Sequence, residues 1–230
     1  MAPTPLRLLA ALATTAFAWP TPAGAGYAVV KTFYVDCSAA GTGTGSRWAP
    51  FTSVDQVNVN STIRFNHLHD NDSYGVSAFP QKHEDKTGTT IRGNLFVNNG
   101  RNPGRAAFGD VYLLALGRPG ATIDGLTISG NTFRRTANTS PALYANPSNA
   151  LALAGTNAFA DNVVVRPLGG ALLDVPVPGL AADHNVYLAP ASASPYWTWG
   201  SLTYGSFTAY VAGSGQDTHG TWVDVATPHW

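Results

Sequence analysis

The chain has 230 residues and a formal net charge of zero, with 44% hydrophobic and only 11% charged residues. This length and composition are enough for one folded domain with a real core. The neutral charge gives no reason to expect nucleic acid or an anionic membrane surface as the main partner.

The first 25 residues have the pattern of a secretory signal peptide. Arg7 provides the positive start, an apolar run covers residues 8–19, and small residues at 23–25 suit a cleavage site. A membrane anchor needs roughly 20 apolar residues, whereas Pro20 ends this run early. We therefore expect a secreted protein without membrane association after cleavage; a membrane-anchored form is the alternative.

Residues 26–60 are predicted to form an N-terminal segment and cap. The stretch KTFYVDCSAAGTGTGSRWAPFTSV at 31–54 combines a Tyr-Val-Asp sequence, a glycine-rich turn and a Pro-Phe pair. It also contains the only cysteine, Cys37. An unpaired cysteine is unusual in an exported chain, and both a small buried side chain and a reactive or intermolecular thiol are open.

From residue 61 onward the chain repeats a short pattern centred on asparagine. The copies TIRFNHLHD, TIRGNLFVN, TISGNTFRR, AFADNVVVR and AADHNVYLA are centred on Asn66, Asn94, Asn131, Asn162 and Asn185. Each has an apolar residue three positions before the asparagine and another two positions after it. This alternation predicts β-strands, and copies 23 to 37 residues apart predict repeat units that stack over one core.

The asparagine has two predicted roles in such a stack. It tolerates the left-handed backbone conformation that a tight bend requires, and Gly93 and Gly130 beside it suit the same bend. Its side chain can also hydrogen-bond along the stack at the strand spacing of roughly 4.8 Å. The longer spacers, around 100–120 and 138–155, are predicted to leave the core as loops.

Two arginines are predicted to lie side by side on the outer surface. Arg64 and Arg92 stand two positions before their asparagines, and Ser129, Ala160 and Asp183 continue this column. Like charges one strand apart repel unless an anion bridges them. The column predicts either a carboxylate-binding surface, which suits guanidinium chemistry, or two solvated arginines.

Two polar stretches could carry chemistry. QKHEDKTG at 81–88 mixes both charge signs, and HLHDND at 67–72 places two histidines near two aspartates. The histidines could bind a metal or transfer protons, although their spacing is no recognised zinc signature. Solvated polar loops are the alternative in both cases. The residues concerned are Lys82, Glu84, Asp85 and Lys86 in the first stretch and His67, His69, Asp70 and Asp72 in the second.

The C-terminal part is rich in aromatic residues and has a predicted short helix. Ser206 is a suitable N-cap, and Gly213 is the predicted end. Aromatic rings can stack on sugars, but they can also cover the open end of a repeat stack; we expect the second role. The residues are Tyr196, Trp197, Trp199, Tyr204, Phe207 and Tyr210.

These features together resemble secreted bacterial right-handed parallel β-helix repeat proteins, which share the fold of pectate lyases. The asparagine copies, the stretch 31–54 and the closing stretch 183–224 carry the resemblance. It implies an all-β fold: a short, single-stranded right-handed parallel β-helix of about five coils at 61–190, with an Asn ladder and an aromatic cap at 191–230. The stretch 31–54 passes almost directly into the first copy, so earlier coils of the family are absent.

The resemblance also implies that a monomer binds or cleaves extracellular polysaccharide, with an acidic polysaccharide as one candidate. In a calcium-dependent uronan lyase, Glu84 and Asp85 would hold Ca²⁺, and a lysine or arginine would take the proton. A glycoside hydrolase would need two carboxylates about 5–10 Å apart, which the sequence cannot place. A non-catalytic glycan-binding or cell-envelope structural protein is the alternative. The proton-accepting candidates are Lys82, Lys86 and Arg92, and the substrate-binding candidates are Arg64, Arg92, His67 and His69.

Overall fold

The computed structural model describes residues 61–78, 80, 85–101, 108–115 and 120–225. The predicted signal peptide, residues 26–60 and Cys37 lie outside this part of the chain. The described residues form an all-β fold with twenty short strands in four sheets and one α-helix near the C-terminus. Within these residues no helix has the length and apolar character that a membrane span requires.

Sheets A and B each take one strand from every asparagine-centred copy, and all their strand pairs are parallel. Sheet A contains β1 (Thr62–Arg64), β5 (Thr90–Arg92), β9 (Thr127–Ser129), β13 (Asn157–Ala160) and β16 (Leu180–Asp183). Sheet B contains β2 (His67–His69), β6 (Leu95–Val97), β10 (Thr132–Arg134), β14 (Val163–Val165), β17 (Val186–Ala189) and β20 (Thr221–Asp224).

Sheet C is parallel except at one edge, where β18 and β19 pair antiparallel. It contains β3 (Val76–Ala78), β7 (Val111–Leu113), β11 (Leu143–Ala145), β15 (Gly170–Val175), β18 (Pro195–Trp199) and β19 (Leu202–Tyr204). The small sheet D contains β4 (Lys86–Thr87), β8 (Thr122–Asp124) and β12 (Ala152–Ala154). Short 3₁₀ helices cover Ser148–Ala150 and Ala191–Ala193.

The strand register is the one that the sequence alignment predicts. In sheet A, the apolar residue before each asparagine pairs with its counterpart in the next copy, in the order Ile63, Ile91, Ile128, Phe159 and Ala182. In sheet B, the apolar residue two positions after each asparagine pairs likewise, in the order Leu68, Phe96, Phe133, Val164 and Tyr187. Trp222, which follows no asparagine, extends this column beyond the predicted copies. Both columns point into one continuous core.

The prediction that the longer spacers leave the core is wrong for parts of both. Val111 and Leu113 in the first, and Leu143 and Ala145 in the second, are fully buried in sheet C. These strands have no asparagine to mark them, and they are only three residues long. Each repeat therefore contributes a third strand that the sequence pattern does not reveal.

The left-handed backbone position lies one residue before each asparagine and not at the asparagine itself. The residues there are Phe65, Gly93, Gly130, Asp161 and His184, with φ between 57° and 62°. The predicted conformational role of the asparagines is therefore wrong, whereas the role of Gly93 and Gly130 is confirmed. Only two of the five residues are glycines, so the bend carries strain at the other three.

The C-terminal part continues the sheets. Within the described residues 191–225, β18 pairs with β15 and β20 pairs with β17, both in parallel. The helix α1 (Phe207–Ser214) begins after Ser206, whose Oγ accepts a hydrogen bond from the Ala209 N–H at 3.2 Å. It ends one residue beyond the predicted Gly213. The Trp197 and Tyr210 rings stack 5.5 Å apart and are fully buried against the core.

Candidate functional site

Arg64 and Arg92 lie on the outer surface of sheet A, directly beside each other. They are register partners at the ends of β1 and β5, and both are exposed. The same column continues through the small residues Ser129 and Ala160 to Asp183. The two strands that carry the arginines are about 4.8 Å apart, and the small side chains that follow in the same column leave room for an extended anionic ligand.

Phe65 extends this pair with an exposed aromatic ring. Its residue is 71% exposed, and the Arg64 guanidinium carbon lies 5.8 Å from the ring centroid. A Cβ atom at Gly93 would lie 2.8 Å from the Phe65 ring, so the ring rests on a backbone that only glycine leaves open. Phenylalanine at φ 58° is strained. We call the surface formed by Arg64, Phe65 and Arg92 the Arg–Phe patch.

The predicted substrate-binding histidines lie at the start of sheet B. The rings of His67 and His69 have centroids 4.5 Å apart. Asp70 lies between His69, with Nδ1 to Oδ2 at 3.0 Å, and Arg101, with Nη1 to Oδ1 at 3.7 Å. Asp70 is therefore engaged by two neighbours.

The predicted calcium and proton-transfer residues are only partly within the described chain. Lys82 and Glu84 lie outside it. Asp85 Oδ1 accepts a hydrogen bond from the Thr122 N–H at 3.0 Å, which ties the start of β4 to β8. The backbone of Lys86 pairs with that of Ile123 in sheet D, whereas Arg92 belongs to sheet A. Two of the predicted catalytic residues thus lie on different sheets.

The five predicted asparagines form a hydrogen-bonded ladder between sheets A and B. Each side-chain oxygen from Asn94 onward accepts from both the backbone N–H and the Nδ2 of the previous asparagine, at 2.9–3.1 Å. From Asn94 onward, each Nδ2 also donates to a carbonyl oxygen of sheet A. The arrangement satisfies polar groups that are buried from Asn94 to Asn185.

Asp217 forms a sixth rung that the sequence analysis missed. Its Oδ1 accepts from the backbone N–H and Nδ2 of Asn185 at 3.2 and 2.8 Å, as another asparagine would. Its Oδ2 accepts from the hydroxyls of Tyr187 and Tyr210 at 2.7 and 3.2 Å. Burial raises the pKa of Asp217, and these hydrogen bonds oppose the shift. The surrounding sequence has no apolar residue three positions earlier, so no pattern marked it.

Asp183, His184 and His219 form a second cluster that the sequence analysis missed. Asp183 Oδ2 lies 3.3 Å from Nδ1 of His184 and 2.8 Å from Nδ1 of His219. The two imidazole rings stack with centroids 4.9 Å apart and an angle of 17°. The hydrogen bond from His219 lowers the pKa of Asp183 to about 2. In the described part of the chain, this group has the composition and closeness of metal ligands.

Two buried arginines lie near one carboxylate, and only one of them pairs with it. Arg135 contacts Asp110, with Nη2 to Oδ1 at 3.2 Å, and also hydrogen-bonds to Asn138. Arg166 is fully buried, and none of its three guanidinium nitrogens has a hydrogen-bond partner in the described structure. Burial, with the nearby Arg135 as a second cause, lowers the pKa of Arg166 far below its usual value. This cluster is closed to solvent, so it is no ligand surface as it stands.

An aromatic column along sheet C is covered at its centre. The Tyr74, Tyr112 and Tyr144 rings stack at 5.6 Å intervals. Tyr112 is only 4% exposed, and its hydroxyl accepts from Nδ2 of Asn146 at 2.6 Å. Burial raises the pKa of Tyr112. Because the central ring is covered, the Arg–Phe patch is the more accessible surface for an extended ligand.

The comparisons with known proteins gave no match to any family model, curated protein or solved structure.

Proposed function

We propose that the chain is a secreted right-handed parallel β-helix protein that binds an extended acidic polysaccharide through the Arg–Phe patch. The observation that carries the proposal is the pairing of exposed Arg64 and Arg92 beside the exposed Phe65 ring. The signal-peptide pattern of the first 25 residues supports secretion. The resemblance to polysaccharide-active proteins agrees with this reading.

The β-helix part of the proposal is supported by the order of the strands. Sheets A, B and C each add one strand per repeat, in the same order along the chain, and neighbouring repeats pair in parallel. A chain that returns repeatedly to the same parallel sheets winds as a coil. Connections between parallel strands of one sheet are right-handed in about 98% of cases, which favours the right-handed form.

The chemistry of the Arg–Phe patch suits a uronate chain. A guanidinium binds a carboxylate through planar, charge-assisted hydrogen bonds. An aromatic ring offers an apolar face to the C–H groups of a sugar. A ligand with one carboxylate on each sugar would place an anion near the arginine pair and so relieve the repulsion between the two cations.

We propose binding rather than cleavage as the primary activity. A lyase needs a proton acceptor and a metal beside the bound uronate. Asp85, one of the two predicted calcium ligands, instead accepts a hydrogen bond from the backbone of Thr122, and the proton-acceptor candidates Lys86 and Arg92 lie on different sheets. The calcium-dependent lyase is therefore the second candidate function. The binding experiment described next also detects lyase products and so distinguishes the two functions.

The experiment measures affinity for polygalacturonate, alginate and a neutral glucan, with and without calcium, by calorimetry. Exposed ion contacts contribute up to about 1 kcal/mol each, so the double variant Arg64→Ala/Arg92→Ala should bind the acidic chains roughly tenfold more weakly. Arg101→Ala is the matched control, since it removes an exposed arginine outside the Arg–Phe patch. Ultraviolet absorbance of unsaturated uronate products, monitored in parallel, detects lyase activity.

The variant Phe65→Gly tests whether the aromatic ring contributes to glycan binding independently of the stability of the fold. A non-glycine residue in the left-handed region costs about 1–2 kcal/mol, whereas glycine costs about 0.5–1 kcal/mol in backbone entropy. The variant should therefore be as stable as the wild type, or more stable by up to about 1.5 kcal/mol, and yet bind acidic glycan more weakly. Unchanged affinity in both the Phe65 variant and the double arginine variant would reject the proposal.

A further inference from the structure

We propose that Asp183, His184 and His219 bind a divalent transition-metal ion of the zinc class, which fastens the C-terminal segment to the last strand of sheet A. The proposal is independent of glycan binding. It concerns the opposite end of the sheet A column from the arginine pair.

The carboxylate of Asp183 is held in position before any ion binds. Its Oδ1 accepts hydrogen bonds from the backbone N–H groups of His184 at 3.0 Å and His219 at 2.9 Å. This fixes the plane of the carboxylate and leaves Oδ2 facing both imidazoles. Hydrogen bonds that orient metal ligands in this way raise the affinity for the ion, because the ligands lose less conformational entropy on binding.

The distances between the three donor atoms are close to those around a bound ion. Ligand atoms that sit 2.0–2.1 Å from a tetrahedral Zn²⁺ are about 3.3 Å from one another. Oδ2 of Asp183 lies 3.3 Å from Nδ1 of His184 and 2.8 Å from Nδ1 of His219. All three donor atoms lie within 4.8 Å of one another. Small side-chain rotations are enough to admit an ion.

The donor set selects the class of ion. Two imidazole nitrogens and one carboxylate oxygen suit zinc, cobalt, nickel or copper, whereas calcium and magnesium prefer oxygen donors. The side chains of Asp183, His184 and His219 are 35%, 58% and 67% exposed. An ion can therefore enter from solvent, and water can complete its coordination.

Such an ion would join two distant parts of the chain. Asp183 ends β16, whereas His219 lies between α1 and β20. The segment carrying His219 also supplies Asp217, the last rung of the ladder. Because the three ligands come together only in the folded chain, binding of the ion stabilises the fold by linkage.

The test is thermal unfolding of the exported chain, prepared without a histidine tag, stripped with chelator and titrated with ZnCl₂. At a free ion concentration of 100 times Kd, the Tm should rise by about 5–10 °C. MgCl₂ and CaCl₂ should leave the Tm unchanged. Bound Co²⁺ should show a visible absorption band that Zn²⁺ displaces.

Two ligand variants and one control locate the site. His219→Ala and His184→Asn should keep the metal-free Tm within about 2 °C, since both side chains are largely exposed, and should lose the zinc shift. Asparagine is chosen at 184 because it tolerates the left-handed backbone there. His69→Ala, at the other histidine–aspartate contact, should keep the shift. No zinc shift in the wild type, or a shift that persists in both ligand variants, would overturn the proposal.

Discussion

The middle of the asparagine ladder should contribute far more to stability than its first rung. The Asn131 side chain makes four hydrogen bonds: Oδ1 accepts from the backbone N–H and Nδ2 of Asn94 at 2.9 and 3.0 Å, and Nδ2 donates to Ile91 O and Asn162 Oδ1 at 2.9 and 3.0 Å. Each contributes about 1 kcal/mol net, and Asn131→Ala also leaves the buried Asn94 N–H without a partner. We expect a loss of about 3–5 kcal/mol in the free energy of unfolding.

Asn66→Ala is the matched variant at the edge. Asn66 is only partly buried, and its side chain donates to Arg64 O and Asn94 Oδ1, both at 3.0 Å. Among the described residues, no donor is hydrogen-bonded to its own Oδ1. We expect a loss of about 1–2 kcal/mol. Urea unfolding, monitored by tryptophan fluorescence at fixed salt, gives both values. Equal losses, or a larger loss at Asn66, would refute the idea that stacked hydrogen bonds make the ladder stable.

Two further predictions concern buried charges. Arg166→Met removes a buried guanidinium without a partner in the described structure, so the free energy of unfolding should stay the same or rise by about 1–4 kcal/mol. Arg135→Met takes the cation away from Asp110 and should lower the free energy of unfolding by about 3–5 kcal/mol. A large loss of stability in the Arg166 variant, measured by urea unfolding, would contradict this. Burial raises the pKa of Asp217 above 3.8, so its contribution to stability is full below the unfolded-state pKa and is lost as pH rises through the folded-state pKa. The stability of Asp217→Asn relative to wild type should therefore increase as pH rises above the unfolded-state pKa of an aspartate, about 3.9, and a difference that stays flat or falls would show that the hydrogen bonds outweigh burial.

The candidate site was predictable in part. Arg64 and Arg92 were expected on neighbouring strands, because both stand at the same position relative to an asparagine, and the structure pairs them. Phe65 was not singled out, since nothing in the sequence tells that this ring sits at a left-handed bend and rests on Gly93. Lys86 and Arg92 are close in the chain, but a bend between them places Lys86 in sheet D and Arg92 in sheet A.

The sequence by itself determined the stack and its register. A ladder of identical side chains requires each asparagine to lie over the last, and apolar neighbours at fixed offsets then have to share the core. The positions of the apolar residues relative to the asparagine are fixed within each copy, so the strand register does not depend on the length of the spacers. The third strand of each repeat, at Val111 and Leu143, has no such marker and was hidden in the spacers.

Tertiary structure alone decided which distant residues complete the C-terminal end of the asparagine ladder and of sheet A. Asp217 and His219 follow a helix, and their positions depend on how that segment folds back onto sheets A and B. A carboxylate can end the ladder because it only accepts hydrogen bonds, so it satisfies Asn185 without needing a further rung. No short-range sequence pattern predicts the hydrogen bond between Asn185 and Asp217, because this contact depends on the folded structure and not on spacing along the chain.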